Sequence, residues 1–560
     1  MVHSMQDAIR TEITSALQTL GLPEVDFVVD YPTDKNAEAD VFSNVALVLA
    51  KQVGENPQEV AQQIAVELTD NIELVTSIKV AGPGFLNFSL DRTYFKNTLV
   101  TALAAGDQWG SNQSEAGEEV IVEYTSPNLF KPLHVGNLVG NIIGESFTRL
   151  FELSGAKVVR ANYPSDIGLP VAKAVWGLQK TGSDPSQIAE LGAAYRVGNE
   201  AYEAEGLEKE EIIAINQALY AGSDAELTRL RLAGIATSNE QINAICAKLG
   251  THFDTEIFES EAAPVGSEIV KDNIGTLFTE SAGAVVYDGD RSGLHTRVFL
   301  NSKGLPTYEA KDIGHYKLKH DRHPNWTQSI IVTGGEQSEY FKVVYAAIKE
   351  LFADAQGKHL EHIPTGFLTL STGKMSSRKG NVLTGESIIS DMEEAATEKM
   401  REPDSELATK IAVAALKYQI LRHGIGSNVV FDKEKALSFE GASGPYLQYT
   451  FARIQSVLKR ATEAGIIADL SSAPAQAYAV EKMIEQFPSV IEKALADRAP
   501  QTVVTYLTEL AAEFNSFYAV EKIADAADEF APYKAALAQV VGQTIKQGLW
   551  SLGIAAPERM

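Results

Sequence analysis

Val120-Ile121-Val122-Glu123-Tyr124 is an apolar run, and Thr125-Ser126-Pro127-Asn128-Leu129-Phe130-Lys131-Pro132-Leu133-His134-Val135-Gly136-Asn137 follows it as a loop. Leu138, Ile142, Ile143, Phe147, Leu150 and Phe151 then recur at helical spacing up to Gly155, and a second apolar run covers 158–162. Strand, loop, amphipathic helix and strand make a βαβ unit, the repeating element of a parallel sheet. The loop falls at the carboxyl end of its strand and the amino end of its helix. Free N–H groups and the positive end of the helix dipole favour an anion there, and the crevice beyond parallel strands is where such sheets bind nucleotides.

Outward from this unit the pattern changes on both sides. Met5, Ile9, Ile13 and Leu17 predict an amphipathic first helix, with Ser4 as its cap. Runs at 77–80 and 85–90 around Gly82-Pro83-Gly84 read as short strands about a turn, and the polar stretch 105–119 reads as a linker. From Pro403 the chain reads as helix, at 405–421, 445–461, 479–492, 502–517 and 534–549. The expected fold class is therefore α/β, a doubly wound (Rossmann-like) parallel sheet at 113–402. A small α+β domain at 1–112 precedes it and an all-α bundle at 403–560 follows.

Apolar residues at 45% and charged residues at 22% of 560 are the balance of an ordinary globular chain. Cys246 is the only cysteine, which excludes an intrachain disulfide and argues against a cysteine zinc site; a reducing, cytoplasmic setting is expected. No stretch has the roughly 18 apolar residues of a membrane span. Forty-eight basic against 74 acidic residues give a charge of −26. That sum does not exclude a nucleic-acid partner, because binding follows the local field.

Several residues carry chemistry. His134 can donate to phosphate oxygens, Gly136 lets a ligand approach the backbone, and Lys131 can meet developing negative charge. Gly373-Lys374-Met375-Ser376-Ser377-Arg378-Lys379-Gly380-Asn381 gathers three cations and hydroxyls between glycines, suited to closing over a triphosphate. Tyr308 and Asp312, four apart, share a face if helical. Gln337 follows a β-rich run and is expected at a strand end beside the crevice. No histidine spacing suggests a metal site. Taken singly, each of these is an ordinary loop, turn or helix residue; their order and placement set them apart.

Together these stretches resemble the arginyl-tRNA synthetases, a class I family. The resemblance rests on Ser-Pro-Asn, Lys-Pro and His-Val-Gly-Asn in the first loop, Lys-Met-Ser-Ser-Arg-Lys-Gly in the second, and Tyr308 with Asp312 between them. It extends to Gly82–Phe88 in the amino-terminal domain and to 438–454 in the bundle, and the ending 552–560 implies a complete chain. It implies that the chain activates arginine with ATP and Mg2+ and transfers it to tRNA(Arg). The implied catalytic set is Lys131, His134, Gly136, Asn137, Lys374, Ser376, Arg378 and Lys379. Ser126, Asn128, Asn137, Tyr308, Asp312 and Gln337 would hold arginine; Tyr446, Gln448, Tyr449 and Arg453 would hold RNA. A monomer, and a need for bound tRNA during activation, are also implied.

The chain departs from the family pattern at Asn137, where a second histidine is common, and at Ser377, where a lysine is common; Lys131 stands where the family compensates for the latter. The stretch 162–168 keeps only Asp166 and Gly168 of the family form and is given no catalytic role. Two alternatives stay open at this point: a synthetase for another amino acid, and an RNA-binding paralogue without activity.

Overall fold

Five parallel strands lie in the order His359–Thr365, Gln328–Gly334, Glu119–Glu123, Lys157–Asn162, Thr255–Glu256. They form the centre of a computed structural model that describes residues 5–32, 39–68, 72–371 and 384–560. The chain starts in the middle strand, steps outward twice, then returns to build the other half. The order therefore reverses between Glu119–Glu123 and Gln328–Gly334, and the crevice at such a reversal is where doubly wound sheets bind ligands. All five residues of Glu119–Glu123 are buried, as a central strand covered on both faces requires.

The crossover helix Val135–Leu153 packs almost wholly inside. Its Gly144 lies flat against Tyr124, where a Cβ would come within 2.3 Å of the ring. Four helices, Leu169–Thr181, Ile188–Glu203, Leu207–Ala221 and Ala225–Leu249, lie between the second and third strands of the sheet in chain order. The helix Glu259–Asp272, a three-stranded antiparallel sheet and the helix Tyr308–Arg322 come before the fourth. The expected βαβ unit and doubly wound sheet are both present.

The amino-terminal segment has its own core, with an antiparallel sheet in which Val75–Ala81 pairs with Phe85–Leu90 across the expected turn. Its first helix spans Met5–Thr19, and the proposed cap Ser4 lies outside the described residues. The polar stretch after Ala105 is less of a linker than its composition suggests. The helix Arg92–Ala105 puts Phe95 in the amino-terminal core and Leu99 and Ala102 in the large one, where Trp109 is also buried.

The helices Ser405–Leu421, Gly444–Glu463, Ala479–Ala496, Gln501–Val520 and Ala531–Ser551 match the helical reading of the last third. They share one continuous core with the parallel sheet, and Leu368–Leu370 pairs with Val429–Phe431 across the join. Arg92 closes the structure from the other side through a two-pronged contact with Glu481, at 2.8 and 3.2 Å. No helix among the described residues is long and apolar enough to cross a membrane.

Candidate active site

The loop after the first strand is built under strain. Thr125, Ser126 and Phe130 hold φ of +74°, +39° and +67°, a region costing a non-glycine residue about 1–3 kcal/mol. Neighbouring groups hold it there. The Asn137 amide donates to the carbonyls of Thr125 (2.8 Å) and Ser126 (3.3 Å), and Asn141 donates to the Thr125 hydroxyl (2.9 Å). Asn128 bridges to Ser165, and the Ser126 hydroxyl is buried with no partner.

His134 is exposed and caps the helix Val135–Leu153, its Nδ1 accepting from the Gly136 amide at 3.1 Å. That bond leaves Nε2 as the ring's donor. Partial desolvation of the ring by its neighbours, then the charge of Lys131, lowers the histidine pKa and favours the neutral ring. Burial also lowers the pKa of Lys131, whose ammonium lies 5.2 Å from the Tyr195 ring and makes no ion pair among the described residues. An imidazole N–H, a helix amino terminus and an unmatched cation thus face one side of the crevice, a phosphate-binding set.

Lys374, Ser376, Arg378 and Lys379 lie outside the described residues. The residue after that stretch, Thr384, forms a bridge with His134, and the Gly385 amide donates to the Leu133 carbonyl at 2.8 Å. The chain that follows the second basic motif is therefore fastened beside the first loop at Thr384 and Gly385.

Across the crevice the helix Tyr308–Arg322 presents Tyr308, Lys311, Asp312, His315 and Lys319, spaced along one face. Lys319 meets buried Glu123 at 3.1 Å and Lys311 meets buried Glu259 at 2.6 Å. Among the described residues, Asp312 has only the Tyr340 hydroxyl, at 2.6 Å. Three carboxylates against two lysines leave Asp312 without an ion pair among the described residues. Burial, reinforced by Glu123 and Glu259, pushes the Asp312 pKa up to about 7 against the lowering effect of Tyr340. Tyr163 stacks on His315 at 3.8 Å, and its hydroxyl is buried without a partner. Tyr308 is half exposed at the mouth, and Gln337 ends the turn after the strand Gln328–Gly334.

Ser126, Asn128, Lys131, His134, Gly136, Asn137, Tyr308, Asp312 and Gln337 come from three separate stretches of chain, and the Tyr340 hydroxyl on Asp312 ties the second stretch to the helix that follows Gln337. Glu123, Tyr163, Glu259, Lys311, His315, Lys319 and Tyr340 were not found from the sequence. A polar stripe at helical spacing, 308, 311, 312, 315 and 319, was the available signal for three of them; nothing local marks Glu259. Asp166 is tied to Arg231 and to Ser260 (2.7 and 2.8 Å), a structural anchor.

In the bundle, Tyr446, Tyr449 and Arg453 share one face of Gly444–Glu463. Tyr449 is 39% exposed, with the Arg453 guanidinium 4.8 Å from its ring, and Asn515 links Arg453 to the Tyr446 hydroxyl. Gln448 departs from expectation. It is fully buried, its amide donating to the carbonyls of Lys410 (3.2 Å) and Ala555 (2.8 Å), so it cannot reach a base.

The family model described as tRNA synthetases class I (R), catalytic domain, matches residues 98–433. The chain belongs to the arginyl-tRNA synthetase family. The models for the arginyl-tRNA synthetase N-terminal domain and the DALR anticodon binding domain match 6–90 and 447–560. The arginine–tRNA ligase of Levilactobacillus brevis is 30% identical over 91% of this chain and 92% of its own length. That of Phocaeicola vulgatus is 29% identical over the whole of both. The solved arginyl-tRNA synthetase of Thermus thermophilus superposes with a TM-score of 0.80 at 26% identity, covering 100% of each chain. Membership makes this chain an enzyme, a class I aminoacyl-tRNA synthetase with ATP among its substrates.

Proposed function

We propose that this chain carries out its family's reaction through the residues described above, joining L-arginine to the 3′-terminal ribose of tRNA(Arg). The observation that carries the reading is Asp312: a desolvated carboxylate with no cation of its own, flanked by neutralised carboxylates and by the unpartnered Tyr163 hydroxyl. A guanidinium supplies the missing charge and the missing donors together.

In the first step the arginine carboxylate attacks the α-phosphorus of ATP and pyrophosphate leaves. In the second, a ribose hydroxyl of the tRNA attacks the arginyl carbonyl and AMP leaves. His134 Nε2 and the helix amino terminus bind phosphate, and Lys131 with Lys374, Arg378 and Lys379 stabilises charge as it moves to pyrophosphate; Ser376 adds a hydroxyl. Mg2+ carried by the nucleotide's phosphates would add positive charge to that of Lys131. Tyr308 and Gln337 close around the arginine side chain, Ser126 and Asn128 face its amino acid end, and Gly136 keeps the nucleotide path open. Asn137 holds the strained Thr125-Ser126 turn with two donated bonds, a task an amide performs without being cationic, and this argues for a working site. Tyr446, Tyr449 and Arg453 offer stacking faces and donors to unstacked bases.

The segments 1–112, 113–402 and 403–560 are read as the units that meet tRNA, catalyse and meet the anticodon arm. A cytoplasmic monomer is part of the same reading. ATP–pyrophosphate exchange with each amino acid, with and without tRNA, tests it. Exchange with arginine alone is expected; exchange with another amino acid, or none from protein that still binds tRNA, overturns it.

A further inference from the structure

Lys417 is fully buried on the helix Ser405–Leu421, and nothing in the mechanism above uses it. Its ammonium donates to the carbonyl of Leu249 (2.7 Å) and to that of Gly553 (2.6 Å). Leu249 ends the helix Ala225–Leu249, where unpaired carbonyls and the negative end of the dipole favour a cation. Gly553 opens the carboxyl-terminal tail at φ +67°, and a Cβ there would lie 2.5 Å from the ammonium.

Each partner leads onward. Two residues past Gly553, the Ala555 carbonyl accepts from Gln448, the neighbour of exposed Tyr449. Two residues past Leu249, the Thr251 hydroxyl donates to Asn141 (3.0 Å), whose amide donates to the Thr125 hydroxyl (2.9 Å). A second cation spans the same gap: Arg149 donates to Trp550 (2.9 Å) and Gly250 (3.1 Å). Arg149 also pairs with Glu145 (2.7 Å), which accepts from the Tyr124 hydroxyl (2.6 Å). Both routes end on Tyr124-Thr125, where the strained turn begins.

We propose that Lys417 is a positioning residue for the arginine site: it fastens the carboxyl-terminal tail and the RNA-facing helix to the Thr251–Asn141–Thr125 chain that sets the substrate loop. This rests on the reading of the Thr125–Asn137 loop as the arginine site and of Tyr449 and its neighbours as an RNA face. The tail is then a working part of catalysis, joining two functional surfaces through a buried ammonium.

The test uses full-length Lys417→Met, Thr251→Val, which keeps the shape at 251 while cutting the link to Asn141, and the double variant. Charging by the wild-type protein, measured first, separates a failure of the parent reading from a failure of the relay. Each single variant is expected to raise the arginine KM about 10- to 100-fold, the effect of a small misplacement of a reacting group. Tyr449-dependent tRNA binding, followed by filter retention, should stay unchanged. The double variant should be no worse than the worse single, since both cut one chain. An unchanged arginine KM, effects that multiply, or a parallel fall in tRNA affinity overturns the proposal.

Discussion

Two helices, Tyr308–Arg322 and Gly444–Glu463, carry tyrosines and charged or amide side chains at helical spacing, and their sequences invite the same reading. Their surroundings differ. In the first, Lys311, His315 and Lys319 are buried, and each charge is balanced by a named partner except that of Asp312. In the second, Tyr449 and Arg453 stack at the surface while Gln448, next to Tyr449 in sequence, is sealed in the core. Side-chain type and spacing propose a site; burial and partner count decide what it can bind.

If the first helix is an electrostatic pocket, its largest response should be to charge. Asp312→Asn removes the carboxylate that has no ion pair among the described residues while keeping its shape. Truncating one partner of a buried charge pair costs about 2–5 kcal/mol, so kcat/KM for arginine should fall about 30- to 5,000-fold. Exchange assays at several arginine concentrations check this, and a variant as active as the wild type would break the contrast between the helices.

The next effect is on pH. The pKa of Asp312 in the free protein is raised to about 7, and arginine binds the ionised form. Affinity should therefore be fully developed above that value and be lost as pH falls through it, about tenfold weaker at pH 6 than at pH 8. Calorimetric titration with arginine across this range reads the midpoint. Removing the Tyr340 hydroxyl with Tyr340→Phe should move the midpoint upward, because that hydrogen bond stabilises the ionised carboxylate.

The legibility of the molecule follows the same division. The βαβ unit was readable because its alternation of apolar runs and helical spacing is local, and the bundle helices were readable for that reason too. Lys131, His134 and Asn137 could be proposed together because they fall in one short stretch of sequence. Glu259 and Lys311 were not recognised as a pair, since their 2.6 Å contact joins residues 52 positions apart. Gln448 was misread because spacing around a helix cannot say which side another domain will cover. Trp109 shows the same limit, its polar neighbours disguising a residue that belongs to the large core.

The RNA-facing helix should answer to aromatic surface where the pocket answers to charge. Tyr449→Ala removes an exposed stacking face worth about 1–3 kcal/mol per base, so the tRNA KM should rise about tenfold. The pH midpoint for arginine binding should not move, because Tyr449 is no part of the charge balance around Asp312. Steady-state charging with varied tRNA tests the first point, and the calorimetric titration above tests the second.

Gln448→Leu, one residue away, should give the smallest effect on tRNA and the opposite pattern otherwise. Its amide reaches no solvent, so the tRNA KM should stay within about twofold, below 0.5 kcal/mol. The cost falls on stability: the carbonyls of Lys410 and Ala555 lose the amide that donated to them, about 0.5–1.5 kcal/mol per bond, which lowers the urea midpoint. Any remaining kinetic change should appear in the arginine KM, through the tail that Lys417 also holds. A large rise in the tRNA KM would mean that the helix turns or opens on binding RNA, and that burial in the free protein does not decide which residues meet the partner.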